Sequence, residues 1–330
     1  MNFFDNIILK KNILGNASLI ESHTSFHIAF GIDANFTIGT GVLIYSMLEH
    51  NSSNIVCHIF SDKIYETDIS RLRNLAMHKN ICIIIYYVNP KNFSNLPTFF
   101  TWSQAMYYRF LITECLNPLN LNILYLDSDI LCLNNIQKLF SINLKNYIAA
   151  VIADNPIMVD YAKNNFMFKN TYYFNSGVML INTINWKKYS ISKQAINLLT
   201  EKSTFKFYDQ DVLNILLIDK TILLDKKYNT IYHLADMKND IANNTVFLHY
   251  SGSVKPWQSW GQYHFLTSLW LKYKNNSPWN NATIIQPKTY KQAKFMARTL
   301  KRNNKFISAI YWYIKYSVWK IYSKINNSEV

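Results

Sequence analysis

Short apolar runs that read as strands buried on both faces, separated by helix-length amphipathic segments, constrain this 330-residue chain more than any other feature. ICIIIYYV (81–88) and NILYLD (122–127) carry almost no polar face, the pattern of a strand sandwiched between layers. SFHIAFGI (25–32) alternates with period two at Phe26, Ile28 and Phe30, then stops at Asp33. NIVCHIF (54–60), YIAAVIA (147–153), YFNSGVMLI (173–181) and TVFLHY (245–250) are further strands. Helical periodicity falls at 37–50, 65–78, 101–116, 187–200 and 209–219. Such alternation predicts an α/β protein with a doubly wound sheet, whose ligands sit outside the carboxyl ends of the strands.

Composition narrows the class. Seven glycines and seven prolines are too few for collagen-like, linker-rich or many-turned all-β chains. Hydrophobic residues at 49% against 16% charged give a sizeable core and exclude wholesale disorder. Cys57, Cys82, Cys115 and Cys132 are scattered without a C-x-x-C pair, which suits reduced thiols. ICIIIYYV and FISAIYWYI (306–314) are shorter than the roughly 18 apolar residues of a membrane span. MNFFDNIILKKN places an acid, Asp5, early and its lysines after the apolar run, the wrong order for a signal peptide. A cytoplasmic protein without a spanning helix is expected.

The net charge of +14 is unevenly spread. Residues 286–330 hold ten basic residues and one acid, Glu329, a net of +9, against +5 for the other 285 residues. A basic, aromatic tail on a nearly balanced body predicts a tail that meets an anionic surface. The body lacks the basic footprint of a nucleic-acid binder, so no nucleic-acid partner is expected. The character changes after SPWNN (277–281), which divides the chain into an N-terminal extension (1–23), an α/β domain (24–277) and a helical, basic appendage (278–330). In FISAIYWYIKYSVWKIY, Ile307, Ile310, Tyr311 and Ile314 recur at helical spacing, and Lys315 and Lys320 flank them, the pattern of a helix lying in a membrane interface.

The chain has no G-x-G-x-x-G, G-K-[ST] or G-x-S-x-G, so dinucleotide-binding, P-loop and serine-hydrolase chemistries lose their usual signals. The sharpest local feature is LYLDSDILCL (124–133), where Asp127 and Asp129 follow an apolar strand directly. Where the backbone turns at the strand end, both carboxylates can converge on one divalent cation that also binds substrate phosphates. An ordinary loop with an acidic cap fits the same residues. In FLHYSGSVKPW (247–257), His249 can add a nitrogen ligand, which favours Mn²⁺ over Mg²⁺. Gly252 would admit close backbone approach to a pyrophosphate, and Lys255 would supply a compact cation. A core histidine and a solvated lysine are the plainer alternatives. Asn175, Ser176 and Gly177 interrupt an apolar strand, and polar residues there need partners or face a site. Asp209, Gln210 and Asp211 stand at a helix start, where Asp209 also fits as an N-cap. Arg109, inside QAMYYRFLI, needs a carboxylate or phosphate partner if buried.

HIAFGIDANF, YYRFL, LYLDSDIL, YFNSGVMLIN, YDQDVLN and HYSGSVKPW, in that order, resemble the family-eight retaining glycosyltransferases. Within them the chain is similar to the bacterial lipopolysaccharide core hexosyltransferases, which move glucose or galactose from UDP-sugars. The resemblance covers about residues 24–280, and the appendage resembles that subgroup's C-terminal segment. It implies the GT-A fold, a nucleotide-binding mixed sheet, with a UDP-hexose donor and a lipopolysaccharide core acceptor. It implies that Asp33, Asn35 and Phe36 line the uridine and ribose pocket, Phe36 standing where the family often has Tyr. Asp127 and Asp129, with Ser128 between them, would join His249 at Mn²⁺ (or Mg²⁺) against the diphosphate, and Gly252 and Lys255 would close on it. Arg109, Asp154, Asn175, Asp209 and Gln210 would surround the donor hexose, with Gln210 positioning the reacting centre and Asp154 and Asp209 as alternative nucleophiles. Same-face attack without a nucleophile remains open beside them. A metal-dependent phosphohydrolase or nucleotidyltransferase would use the same acids but give His249 and Lys255 no role. A self-glucosylating relative is disfavoured by the core-transferase-like tail.

Overall fold

The runs apolar on both faces form the middle of an eight-stranded sheet, in a computed structural model that describes residues 3–52, 54–98, 103–116, 122–166, 168–201, 205–234 and 241–325. In chain order the elements begin with β1 (Ile8–Gly15), β2 (Phe26–Ile32), α1 (Thr37–His50), β3 (Ile55–Ser61), α2 (Glu66–His78), β4 (Cys82–Val88) and α3 (Arg109–Leu116). There follow β5 (Asn122–Leu126), β6 (Ile130–Cys132), α4 (Gln137–Phe140), β7 (Ala149–Ala153), α5 (Ile157–Phe166), β8 (Phe174–Asn182), α6 (Thr183–Lys188), α7 (Ile191–Glu201) and α8 (Tyr208–Leu216). The chain continues through β9 (Thr221–Leu224), β10 (Thr230–His233), β11 (Phe247–Ser251), α9 (Phe265–Asn276), α10 (Tyr290–Arg302) and α11 (Phe306–Ile325).

The large sheet runs in the order β1-β4-β3-β2-β5-β8-β7-β9. β5, β2, β3 and β4 are parallel, whereas β8 runs antiparallel to both β5 and β7. Every residue of β3 is buried, as sandwiching between layers requires. β1 closes one edge antiparallel to β4 and keeps Lys10 and Lys11 on the outside, a charged edge that resists pairing with another chain. β6 pairs antiparallel with β11 through Ile130↔His249, Leu131↔Leu248 and Cys132↔Phe247. The architecture is the mixed α/β sheet with a C-terminal helical region that the sequence predicts.

Two helical segments differ from expectation. The span 101–116 is a 3-10 turn at Gln104–Tyr108 followed by α3, and residues 101–102 lie outside the described residues. The tighter turn buries Tyr107 and Tyr108 and brings the Ala105 carbonyl against Gly31 of β2. The helix expected at 187–200 is α6 and α7, interrupted where Ser190 adopts φ +50°. All four cysteines are free thiols.

The chain forms two compact units, Met1–Thr230 with Ala242–His249, and Ile231–Ile241 with Tyr250–Val330. In the second, Trp257, Trp270 and Trp279 are buried, and α10 contributes Ala293, Met296, Ala297 and Leu300. Thr299 Oγ1 donates to the Trp260 carbonyl at 3.1 Å. Of α11 only Ala309 is buried, and no described helix is long and apolar enough to cross a membrane.

Two histidines sit inside the large sheet. His27 Nδ1 lies 3.0 Å from His58 Nε2, and His58 Nδ1 lies 3.1 Å from the Tyr86 hydroxyl. Burial pulls the His27 imidazole down to about 4, and burial, with help from His27 and Lys11, holds His58 well below the ordinary imidazole range. Unfolded histidines titrate near 6.5, so between roughly pH 6.5 and 4 the unfolded chain binds more protons than the folded one. Stability is undiminished above that window and falls as pH drops through it. The thermal midpoint should drop by several degrees from pH 7.5 to 5, and His27→Gln, which keeps a hydrogen-bonding group but cannot titrate, should shrink the drop. An equal drop in both proteins would place the acid-sensitive group elsewhere.

Candidate functional site

The antiparallel course of β8 decides where the polar residues collect. Because β8 runs against β5, its first residues stand beside the carboxyl end of β5, and the Asp127 amide donates to the Gly177 carbonyl at 2.8 Å. β7 runs against β8, so Asp154, just past its carboxyl end, arrives at the same place, with its amide on the Tyr173 carbonyl at 2.8 Å. The β7–β8 register shifts between Val151 and Ile152, which pair with Met179 and Asn175. Ser176–Val178 are thereby left outside that ladder, and the interruption NSG in an apolar run is the sequence trace of this bulge.

At the end of β5, Asp127, Asp129 and His249 each offer an oxygen or nitrogen, all within 4.8 Å of one another. His249 Nε2 lies 3.2 Å from Asp129 Oδ1, and both residues are buried. Among the described residues, the side-chain contacts of Asp127 fall on one oxygen. Its Oδ1 accepts from the Tyr125 hydroxyl at 2.7 Å and from Arg109 at 3.0 Å, while Oδ2 points toward Gly177. A Cβ on Gly177 would stand 2.6 Å from His249 Cε1, 2.8 Å from Asp127 Oδ2 and 3.0 Å from Asn175 Oδ1. Gly177 is the floor of the cluster, and no larger residue fits there without moving two of its three members. Between the two acids, buried Ser128 lies 3.0 Å from Thr40 Oγ1 of α1. Two carboxylates and an imidazole converging at this separation could hold a divalent cation.

Arg109 is buried and turned inward. Its Nε donates to the Met106 carbonyl at 2.9 Å, one terminal nitrogen contacts the Ser176 carbonyl at 2.9 Å and Asp209 at 3.0 Å, and the other contacts Asp127. Its guanidinium lies over the Tyr125 ring at 4.5 Å. Burial opposes the charge, but Asp209, Tyr125 and Asp127 outweigh it and hold the guanidinium above its ordinary range. Burial likewise lifts the Asp209 carboxyl to about 6, against the pull of Arg109.

Gln210 Oε1 accepts from the Ser176 amide at 3.0 Å and from Asn175 Nδ2 at 3.1 Å. Gln210 Nε2 and Asn175 Nδ2 both donate to Asp154 Oδ2 at 3.3 Å. Asp154, Asn175, Asp209 and Gln210, four of the five residues expected around one sugar (Arg109 is the fifth), form one connected patch beside the three-ligand cluster, Asp209 joining through the Ser176 hydroxyl at 3.4 Å. Asp211, on the same helix start, faces the other way. It accepts from the Tyr161 hydroxyl at 2.9 Å, the Tyr173 hydroxyl at 2.5 Å and the Phe207 amide at 2.9 Å, and burial raises its carboxyl above the usual range.

At the end of β2, Asp33 Oδ1 accepts from the Asn35 amide at 2.8 Å and Oδ2 from the Ser103 hydroxyl at 2.7 Å. Asn35 is exposed and Phe36 half-buried, and the Phe36 carbonyl lies 3.1 Å from the same Thr40 hydroxyl that reaches Ser128. Gly252 and Lys255 belong to the second unit. Gly252 has φ +86°, and a Cβ there would stand 3.0 Å from His233 Nδ1, so this glycine serves both a left-handed turn and a neighbouring ring. Buried Lys255 donates to the Tyr250 carbonyl at 2.9 Å.

Tyr125 and Asn229 also belong to the site and were missed from sequence, whereas Gly177 was marked there only as part of the strand interruption. Tyr125 had a signal, since it lies two residues before Asp127 in a strand and therefore on the same face. Asn229, in DKKYNTIYH, had none: it reads as a turn residue, yet it is buried and bonded to both His249 and Asn175.

The family model "Glycosyl transferase family 8" matches residues 27–261, and "Glycosyl transferase family 8 C-terminal" matches 266–320. The chain is 34% identical to the lipopolysaccharide 1,3-galactosyltransferase of Salmonella typhimurium, covering 95% of this chain and 97% of that one. It is 32% identical to the lipopolysaccharide glucosyltransferase WaaO of Escherichia coli, covering 89% and 91%. Among solved structures, the galactosyltransferase LgtC in complex with donor and acceptor sugar analogs superposes with a TM-score of 0.64 at 22% identity, over 76% of this chain and 96% of that one, a likeness of fold. The sheet is the GT-A sheet, and the chain belongs to glycosyl transferase family 8.

Proposed function

We propose that the protein transfers a hexose, glucose or galactose, from a UDP-sugar onto a lipopolysaccharide core oligosaccharide with retention of configuration. The observation that carries this reading is the adjacency of the Asp127–Asp129–His249 cluster to the Asp154–Asn175–Asp209–Gln210 patch, one suited to a metal-bound diphosphate and the other to a sugar. Relatives named lipopolysaccharide galactosyl- and glucosyltransferases over nearly the whole chain support the same donor and acceptor classes.

In this reading Asp33, Asn35 and Phe36 hold the nucleoside, and Asp127, Asp129 and His249 hold Mn²⁺. Bound Mn²⁺ supplies charge neutralisation of the departing diphosphate. Gly252 and Lys255 are the residues that the family resemblance assigns to that diphosphate, Lys255 as a point charge. Arg109 serves the hexose pocket by holding Asp127 and Asp209 in place. Gln210, whose oxygen accepts from Ser176 and Asn175 and whose amide nitrogen donates to Asp154, positions the reacting carbon; an amide is a poor nucleophile. Asp154 and Asp209 are the nearby carboxylates for a covalent route, and same-face attack needs neither.

We further propose that residues 278–330 hold the enzyme to the inner face of the cytoplasmic membrane, residues 326–330 lying outside the described ones. Ile307, Ile310, Ile314, Val318, Ile321 and Ile325 form a continuous exposed stripe along α11, Ile307 being 88% exposed. Lys315, Lys320 and Lys324 stand on the same helix, and such a face with basic flanks suits an anionic lipid interface.

The deciding assay is UDP release from UDP-glucose and UDP-galactose with Mn²⁺ and truncated rough lipopolysaccharide, with the product anomer read by NMR. Acceptor-dependent transfer from one sugar is expected; hydrolysis indifferent to acceptor would favour a phosphohydrolase. Asp129→Asn removes a ligand charge while keeping its shape, and turnover should fall by orders of magnitude with little change in melting temperature. Full activity of that variant in EDTA would end the metal assignment. Gly177→Ala should weaken Mn²⁺ binding by about tenfold or more, since its methyl displaces two ligands; unchanged affinity by calorimetry would show the cluster is not the site. Ile307→Glu with Ile314→Glu should abolish sedimentation with anionic liposomes and leave UDP release in solution unaltered. Retained sedimentation, or loss of a dimer in place of loss of liposome binding, would assign the stripe another partner.

A further inference from the structure

Which nitrogen of His249 carries the proton follows from hydrogen bonds that start at backbone amides. The Gly177 amide can only donate, and it donates to Asn175 Oδ1 at 3.0 Å. That fixes the oxygen and nitrogen of the Asn175 amide. The Asn229 atom facing this oxygen at 2.8 Å must then be its Nδ2. The other end of Asn229 is therefore an oxygen, an acceptor, and it lies 3.0 Å from His249 Nδ1. His249 Nδ1 must carry a proton. Its Nε2 then presents a lone pair 3.2 Å from Asp129 Oδ1, an arrangement that needs a cation or a second proton between the two acceptors. A second backbone donor gives the same sense from the far side. The Ser176 amide donates to Gln210 Oε1, which leaves Gln210 Nε2 for Asp154, in agreement with Asn175 Nδ2 donating toward Gln210 and Asp154.

We infer that Asn229 is a positioning residue that holds His249 in its metal-binding tautomer and, through its other end, orients the Asn175 amide in the sugar patch. The metal half rests on this geometry alone; the sugar half rests on the donor reading above. A neutral imidazole whose Nδ1–H is fixed by an outer acceptor is the usual way to keep Nε2 available for a divalent ion, and losing that acceptor typically costs 10–100-fold in affinity. Asn229 is 4% exposed, so water does not readily replace its oxygen. Because one side chain serves both ends, its two functions can be separated by substitution.

The test uses the full chain and two variants, Asn229→Ala and Asn229→Asp. The alanine variant removes both ends. It should show mixed His249 tautomers by ¹⁵N-histidine NMR of the metal-free protein and bind Mn²⁺ about 10–100-fold more weakly by EPR titration. The aspartate variant keeps an acceptor for Nδ1–H but no donor for Asn175. It should retain the Nδ1–H tautomer and near-native Mn²⁺ affinity, yet lose about tenfold in affinity for UDP-hexose relative to UDP. Should the alanine variant fail to fold, the split response of the aspartate variant decides. Native Mn²⁺ affinity and tautomer in the alanine variant would overturn the inference, as would an equal loss of Mn²⁺ and of both nucleotides in the aspartate variant. If wild-type protein binds no UDP-sugar, the donor reading fails while the NMR and EPR arms still judge Asn229.

Discussion

A buried guanidinium shared between two carboxylates is the interaction on which the site depends. Arg109 is withdrawn from water, and only opposite charges and carbonyl acceptors at close range offset the loss of its hydration. It finds them on four separate segments: the 3-10 turn before it (Met106), the turn after β5 (Asp127), the bulged start of β8 (Ser176) and the first turn of α8 (Asp209). Those segments are distant in sequence, and one guanidinium ties three of them, at Asp127, Ser176 and Asp209, to a single point. Removing the guanidinium alone would leave Asp127 and Asp209 facing each other without compensation, so the arrangement holds as a unit or not at all.

The constraint also sets which atoms of the cluster turn toward its shared centre. Arg109 and Tyr125 both take the same oxygen of Asp127, leaving the second oxygen directed at the space above Gly177. Asn229 plays the same part for His249 by engaging Nδ1 and leaving Nε2 toward Asp129. In both cases the protein satisfies one end of a ligand internally and keeps the other for the shared centre. Ordering of this kind is what distinguishes a ligand set from two acids and a histidine that happen to be close.

Much of this was legible in the sequence, and the rest was not, for definite physical reasons. Strands β2 to β5 and β8 announced themselves because both-face burial leaves little room for polar residues, and Asp127 and Asp129 stood out because they end such a run. β1 (ILKKNILG) was read as part of an extension: an edge strand needs polar residues on its outer side, so its pattern resembles a loop. β6, at three residues, is too short to display a period, and its pairing with β11 is a tertiary fact. The bulge at Ser176–Val178 was visible as an interruption, but its direction depends on the antiparallel insertion of β8, which no local pattern encodes. Arg109 plainly needed a partner, yet the sequence supplies 20 acidic residues and no indication that Asp127 and Asp209 are the ones.

The two C-terminal helices show the same limit from the opposite side, because periodicity reveals an apolar stripe without revealing what covers it. α10 has a narrow stripe of small and flexible residues, Ala293, Met296, Ala297 and Leu300, amid lysines and arginines, and that stripe is buried in its own unit. α11 has a broader and bulkier stripe of isoleucines, yet only Ala309 is buried and the isoleucines face outward. Hydrophobicity alone would have ordered them the other way. What separates them is the polar detail on each flank: α10 opens with a Thr289–Gln292 capping box and is pinned by Thr299 to the Trp260 carbonyl, contacts that fix its face against the neighbouring Trp-rich core. α11 turns against α10 through Tyr290 and Tyr316 on one side, which leaves the isoleucine stripe on another. An apolar face of that length is costly to leave in water and is retained where a partner covers it. Lysines flanking it make an anionic interface a better cover than a neutral one.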